Sequence, residues 1–255
     1  MFTPKAESLS DLIQRQRVNI QLFHRQVNEF LVKHPEYRAA AETMPIDDLC
    51  ALKYVESHEG HAYDKCIKAI EYRHKHLCQF QDCLTTSRPI LEHLPHRILG
   101  FFGDVLVLEF KLGLMDFKRI NTVFPTREDY ILMDLCENER VRLLLDQQSR
   151  KVNRLCKVMV IMNGENGTVP SGAKTSILST LEKVSAIKAF LFPQHVHMTV
   201  FYKPSAMIRM TLDMSRMFFS KHTMRKWKYC HGKGSNTKCP FVSDQRCLES
   251  FLLTL

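Results

Sequence analysis

The chain carries a single tryptophan, and none of its apolar runs approaches the ~20 residues a helix needs to cross a bilayer. A membrane-spanning helix is therefore not expected. Nucleotide and hydrolase signatures are missing as well, with no G-x-x-x-x-G-K-[ST] loop, no G-x-G-x-x-G turn and no G-x-S-x-G elbow. Ser171-Gly172-Ala173-Lys174 opens a helix after a strand, where free amides attract anions, but it lacks the flanking glycines of a nucleotide loop. There is no C-x-x-C pair, so Cys230, His231, Cys239 and Cys247, with His222 nearby, read as loose thiols and not as structural zinc. His74, His76, Cys78 and Cys83 also lie close in sequence, but His74 and His76 are two apart on a helix and point different ways. His195 and His197 alternate on a strand, share a face and read as the lining of a polar pocket. No enzyme, no cofactor and no metal is expected. Internal repeats and low-complexity segments are absent.

Acidic residues are missing from one long stretch. Between Met214 and Ser243 there are seven Lys or Arg and no Asp or Glu, whereas the formal charge of the whole chain is +9. A concentrated basic segment suits phosphate-bearing partners, either anionic lipid surfaces or nucleic acid; a solvated basic tail is the plainer alternative. Aromatics interleaved with the cations of 221–238 are sparse, only Trp227 and Tyr229, so nucleic acid is not the expected partner. The first residues, MFTPKAESLSDL, lack the cationic start and apolar core of a signal peptide. Nine scattered cysteines then predict reduced thiols in a cytoplasmic protein.

What is present is a chain long enough for one α/β domain with a small accessory domain. Residues 4–34 predict a long first helix, with Leu9, Ile13, Ile20, Phe23, Val27 and Phe30 on one stripe and His34-Pro35 as its end. Pro45-Ile46-Asp47-Asp48 starts a short helix through Val55 with acids at its positive end. His61 to about Leu77 predicts another, with Tyr63, Cys66, Ile67 and Ile70 buried and Lys68, Glu71, Arg73 and Lys75 in water. Composition shifts around Ser87-Arg88-Pro89, which sets the expected boundary of the helical part at residues 1–87.

After it the pattern becomes α/β. VLVLEF (105–110) predicts a strand, and Thr126 with Asp129 caps a long helix running towards Leu155. KVMVIM (157–162), a helix from Ser171 to about Ala189 and HVHMTVFY (195–202) read as a βαβ unit with parallel strands. Trp227 to Cys230 is a further candidate strand. Beyond Pro204 another helical pattern reaches Ser220. In it Met207, Met210, Met214 and Met217 recur at spacings of three, four and three, with Arg209, Asp213, Arg216 and Ser220 on the opposite stripe. A periodic apolar face is most often plain core. Methionine, however, is adaptable and recurs on surfaces that accommodate ligands of variable shape, where a rigid core favours Leu or Ile. Such a helix over a sheet could enclose an acyl chain and open against a membrane.

The order of these segments resembles the CRAL-TRIO, or Sec14-like, lipid-binding proteins over roughly residues 45–230. DDLCALKYVESHEGHAYDKCIKAIEYR is similar to the family's helical N-terminal part, and GFFGDVLVLEFKLGLMDFKRI to its strand and Gly/Asp turn. SRKVNRL, KVMVIMNGENG and FPQHVHMTVFYKPSAM follow in the family's order. Gln194 stands where phosphatidylinositol-binding relatives carry an acid after Tyr-Pro, and Arg216 aligns with their gate lysine. The resemblance implies an α/β fold: a helical N-terminal subdomain (1–87), then a lipid-binding lobe (88–230) with a mixed, mainly parallel sheet flanked by helices and a gate helix, Ser205 to Phe219. Residues 231–255 form a basic tail.

The resulting expectation is a non-catalytic protein that binds, and transfers between membranes, a phospholipid, phosphoinositide or isoprenoid-like lipid. It would be cytoplasmic and transiently membrane-bound. Val158, Val160, Met162, Thr199 and Phe201 would form the floor, and Met207, Met210, Met214 and Met217 the lid. Arg216, Lys221, Arg225, Lys226 and Lys228 would meet anionic headgroups. The alternative is a basic module binding nucleic acid or a protein partner.

Overall fold

A computed structural model describes residues 7–85, 96–114, 122, 125–165, 174–215 and 221–230. These residues fall into two compact units. The first draws on Met1–Arg88, Leu132–Lys157 and Ala186–His195; the second on Pro89–Ile131, Val158–Ser185 and Val196–Leu255.

The first unit is helical. It contains α1 (Leu9–Arg15), α2 (Arg17–Lys33), α3 (Arg38–Glu42), α4 (Asp48–Ser57), α5 (Ala62–Lys75) and α6 (Leu77–Thr85). The expected single first helix is two, because the backbone at Gln16 leaves the helical region (φ −96°, ψ 10°). The first piece is held separately: the Ser8 hydroxyl caps it by accepting from the Asp11 amide at 3.1 Å, and the Leu9 amide donates to the Asn153 carbonyl at 2.8 Å. Asp47 caps α4 as its position suggests, accepting from the Cys50 amide at 2.9 Å. Leu9, Ile20, Phe23 and Val27 from the expected stripe are buried, joined by Leu49, Leu52, Tyr54, Cys66, Ile67 and Ile70.

Arg73 corrects the sequence reading, for it is 0% exposed and not in water. Positions 66, 70 and 73 stand at i, i+4 and i+7, so helical geometry places Arg73 on the buried stripe of α5 whatever its charge. Its guanidinium donates to Glu139 at 2.5 Å and to the Thr43 hydroxyl at 3.3 Å, and lies over the Phe80 ring at 4.6 Å. Glu139 belongs to α7 (Arg127–Val152), whose residues from Leu132 onward join this unit. Burial alone would raise the Glu139 carboxyl; Arg73 and Arg142 outweigh it and hold the group below the usual carboxylate range. Cys136 is disulfide-bonded, so the expectation of reduced thiols fails at that residue. Pairing depends on thiols within reach in space, which spacing along the chain does not report. Cys50, Cys66, Cys78, Cys156 and Cys230 form no disulfide.

The second unit is built on a five-stranded sheet in the order β1 (His96–Phe102), β2 (Val105–Lys111), β3 (Lys157–Asn163), β4 (Val196–Tyr202) and β5 (Trp227–Cys230). β1 and β2 are an antiparallel hairpin turning at Gly103, which takes φ +65°. β3 pairs parallel with β4, and β4 parallel with β5. The connection from β3 to β4 runs through α8 (Lys174–Leu191). The Thr126–Asp129 cap of α7 is reciprocal: each residue's amide donates to the other's side chain at 3.1 Å. Among the described residues the unit also holds α9 (Ala206–Ser215) and α10 (Lys221–Arg225).

Candidate functional site

Strand alternation divides the β3–β5 part of the sheet into two faces. On one, Met159, Ile161, Val200, Tyr202, Cys230 and Val107 make a fully buried cluster. On the other, the register brings Val160 beside Thr199 and Thr199 beside Trp227, then Met162 beside Phe201 and Phe201 beside Tyr229. The Phe201 ring meets Trp227 edge-on at 5.2 Å and stacks on Tyr229 at 5.5 Å. Val158 and Phe201 are buried here, whereas Val160, Met162, Thr199, Trp227 and Tyr229 are only half-buried. This apolar and aromatic face is less covered than its opposite.

Five of the expected floor residues, Val158, Val160, Met162, Thr199 and Phe201, therefore share this one face. Trp227 and Tyr229, not assigned to the site from sequence, extend it. The signal for them was available, since two aromatics alternating in a short strand beside Thr199 and Phe201 must fall on their side. The Tyr229 hydroxyl is buried and has no hydrogen-bond partner among the described residues.

α9 starts at the end of this floor. Ser205 caps it, accepting from the Ile208 amide at 3.3 Å. Gly164, just past β3, donates its amide to the Tyr202 carbonyl at 2.8 Å. A side chain at Gly164 would lie 2.9 Å from Pro204 Cα and 3.2 Å from Ile208 Cδ1, so this close approach admits only glycine. Lys203, between the strand and the helix, takes a left-handed φ of +43° and pairs with Glu165 at 3.1 Å.

The packed side of α9 is thus the Ile208 side: Ile208 is buried and Leu212 half-buried. Met210, about 200° around the helix from Ile208, is 50% exposed. The expected inward lid contact is not made by Met210, because the turn at Gly164 takes Ile208 against the sheet end and leaves Met210 on the far side of the helix. Met207 and Met214 lie on the same backbone stripe as Met210, but their side chains lie outside what is described, as do Met217 and Arg216 altogether.

Among the expected headgroup contacts, Lys221, Arg225 and Lys228 are exposed. Lys226 is half-buried, and its ammonium donates to the Val196 carbonyl at 2.8 Å. It ties the start of β5 to β4. The tail at 231–255, with His231, Cys239 and Cys247, lies outside the described residues, as do Ser171 to Ala173.

The histidine pair does not share a lining. His195 is buried and His197 exposed, the latter falling at a register shift between β3 and β4. His195 belongs to the helical unit, where burial first, then Lys53, Lys188 and Arg142, push its imidazole down to about 3. It lines a cavity of about 20 Å³ with Lys53, Tyr54, Asp146 and Phe192, space for roughly one water. An acyl chain does not fit there. Asp146 accepts from Lys53 and, at 2.7 Å, from Arg142. Gln194, where relatives carry an acid, accepts from Lys157 at 2.6 Å and donates to the Glu56 carbonyl at 3.3 Å. Its backbone is left-handed, with φ +55°.

No family model and no curated protein matches the sequence. Solved structures do, with 23 matching chains. Among them is the crystal structure of Sfh5, a Sec14-family protein, at 13% identity and a TM-score of 0.54. The fold is Sec14-like. The match covers 72% of this chain and 66%, just under two thirds, of that one. The resemblance read from segment order thus holds at the level of fold: the Sec14-like arrangement of a helical part and a mainly parallel sheet flanked by helices is present. No helix among the described residues is long and apolar enough to cross a membrane.

Proposed function

We propose that this protein is a non-catalytic binder of a hydrophobic lipid, held against the half-covered face of β3–β5 and exchanged at anionic membranes. The observation that carries the reading is the difference between the two faces of one sheet. Ile161 and Val200 are sealed, whereas Val160, Met162, Thr199, Trp227 and Tyr229 on the reverse are left partly open within a Sec14-like fold. Leaving large apolar groups half-covered forgoes roughly 25 cal/mol for each Å² not buried, and a bound alkyl chain recovers it. A chain of about 15 carbons contributes on the order of 12 kcal/mol at ~0.8 kcal/mol per CH₂, before ordering costs.

Retention at that strength requires a release step, and the outward side of α9 supports that helix as the gate. Anchored by Ile208 at the sheet end, it turns Met210 outward, where a flexible thioether can enter an interface. In this role Met210 stands on the membrane-facing side of the gate, not on the inner surface of a lid. Lys221, Arg225 and Lys228 supply attraction to anionic headgroups. Native mass spectrometry of the full chain, purified without detergent, should show a co-purified lipid that is lost on organic extraction. A homogeneous ligand-free mass that stays ligand-free after incubation with mixed phospholipid vesicles would refute the reading.

A further inference from the structure

We infer that the Tyr229 hydroxyl is the polar anchor of this lipid site, donating a hydrogen bond to an uncharged oxygen of the ligand. The inference rests on the reading above. A phenol O–H is a donor, and buried donors are almost always partnered. That of Tyr229 is buried without a partner among the described residues, although its ring is stacked on Phe201 within the open apolar face. An unmet donor of this kind destabilises the empty protein and becomes favourable once an acceptor arrives.

The surroundings set the chemistry of the acceptor. In the register of β3, β4 and β5 the face carries Val160, Met162, Thr199, Phe201, Trp227 and Tyr229, with no charged side chain; Lys228 pairs with Val200 and lies on the reverse. A phosphate or carboxylate here would be a buried charge with no counter-charge on the face. A neutral oxygen fits, either the ester carbonyl of an acyl chain or the hydroxyl of a long-chain alcohol. Both present the same acceptor on an alkyl body.

The test compares full-length wild type with Tyr229→Phe, which removes one oxygen and keeps the ring. Retained lipid is measured after incubation with vesicles of diacyl phosphatidylcholine or of dialkyl-ether phosphatidylcholine of equal chain length, and separately with hexadecanol or hexadecane. Wild type should prefer the diacyl form about tenfold if the source is an ester carbonyl, or hexadecanol about tenfold if it is an alcohol. Tyr229→Phe should bring the preference close to parity while its ligand-free melting temperature equals or exceeds that of wild type. Equal retention by wild type within both pairs overturns the inference, as does an unchanged preference in the variant. A ligand-free melting temperature several degrees lower in Tyr229→Phe does so too, since the hydroxyl would then hold the fold. If wild type retains no lipid in any arm, the lipid-binding reading itself fails; its failure is distinguished by the loss of all retention rather than of selectivity.

Discussion

His195 is a group that the fold keeps neutral. A free imidazole titrates near 6.5, but in the folded chain burial, then Lys53, Lys188 and Arg142, push it down to about 3, with Glu139 opposing. Below pH 6.5 the unfolded chain takes up a proton that the folded chain refuses until near pH 3. Stability from this group is therefore complete above pH 6.5 and falls as pH drops through that window, by ~1.4 kcal/mol per unit, or about 2 kcal/mol at pH 5. Urea midpoints at pH 7 and pH 5 should fall together for wild type, and clearly less for His195→Gln. A residual slope is expected, since burial also lowers His58 and His76. Equal slopes in both proteins would mean that this imidazole is not the cause. Arg73 teaches the complementary lesson: its spacing from Cys66 and Ile70 announced burial, but its charge argued for water, and periodicity won because Glu139 lay waiting on a distant helix. Neither Glu139 nor the solitary cavity position of His195 is readable from local pattern, because the partners lie far apart in sequence.

α9 shows where periodicity stops being informative. The sequence located its start and its amphipathic character, but it could not choose which apolar side would pack. That choice is made by the close approach of Gly164 to Pro204, a contact between segments forty residues apart. Elements with strong local signals were legible: β2, β3, β4, the Thr126 cap and the four residues of β5. β1 was missed because HRILGFF mixes polar and apolar residues without alternation and is broken by a bulge between Ile98 and Gly100. α10, at five residues, is too short to show a period. The orientation of α9 gives a contrast that two substitutions can measure. Ile208→Ala should cost about 2–4 kcal/mol in urea unfolding, as expected for a buried aliphatic. Met210→Gln should stay within about 0.5 kcal/mol of wild type, as an exposed position does, yet weaken binding to phosphatidylserine vesicles. If Met210→Gln is instead the more destabilising change, the helix packs through its methionines.

On the scale of the whole molecule, a Sec14-like fold persists at 13% identity to Sfh5 because alternation, helical stripes and turn positions constrain residue class far more than residue identity. The charge distribution is a second whole-molecule property, and it decides between partners. Seven cations and no acids between Met214 and Ser243 act as a local basic patch on a chain that is otherwise nearly balanced. Of the described cations in it, Lys221, Arg225 and Lys228 face water, whereas Lys226 is committed to the Val196 carbonyl. Each exposed cation near an anionic bilayer contributes about 1 kcal/mol. Replacing Lys221, Arg225 and Lys228 together by Glu should therefore reduce co-sedimentation with phosphatidylserine vesicles by at least a factor of roughly a hundred, since each 1.4 kcal/mol is tenfold. Binding to neutral phosphatidylcholine vesicles should hardly change. Lys226→Glu should act differently, loosening the β4–β5 junction and lowering the melting temperature before it affects vesicle binding. An unchanged vesicle affinity in the triple variant, together with oligonucleotide binding that falls steeply with salt, would assign the basic segment to nucleic acid instead.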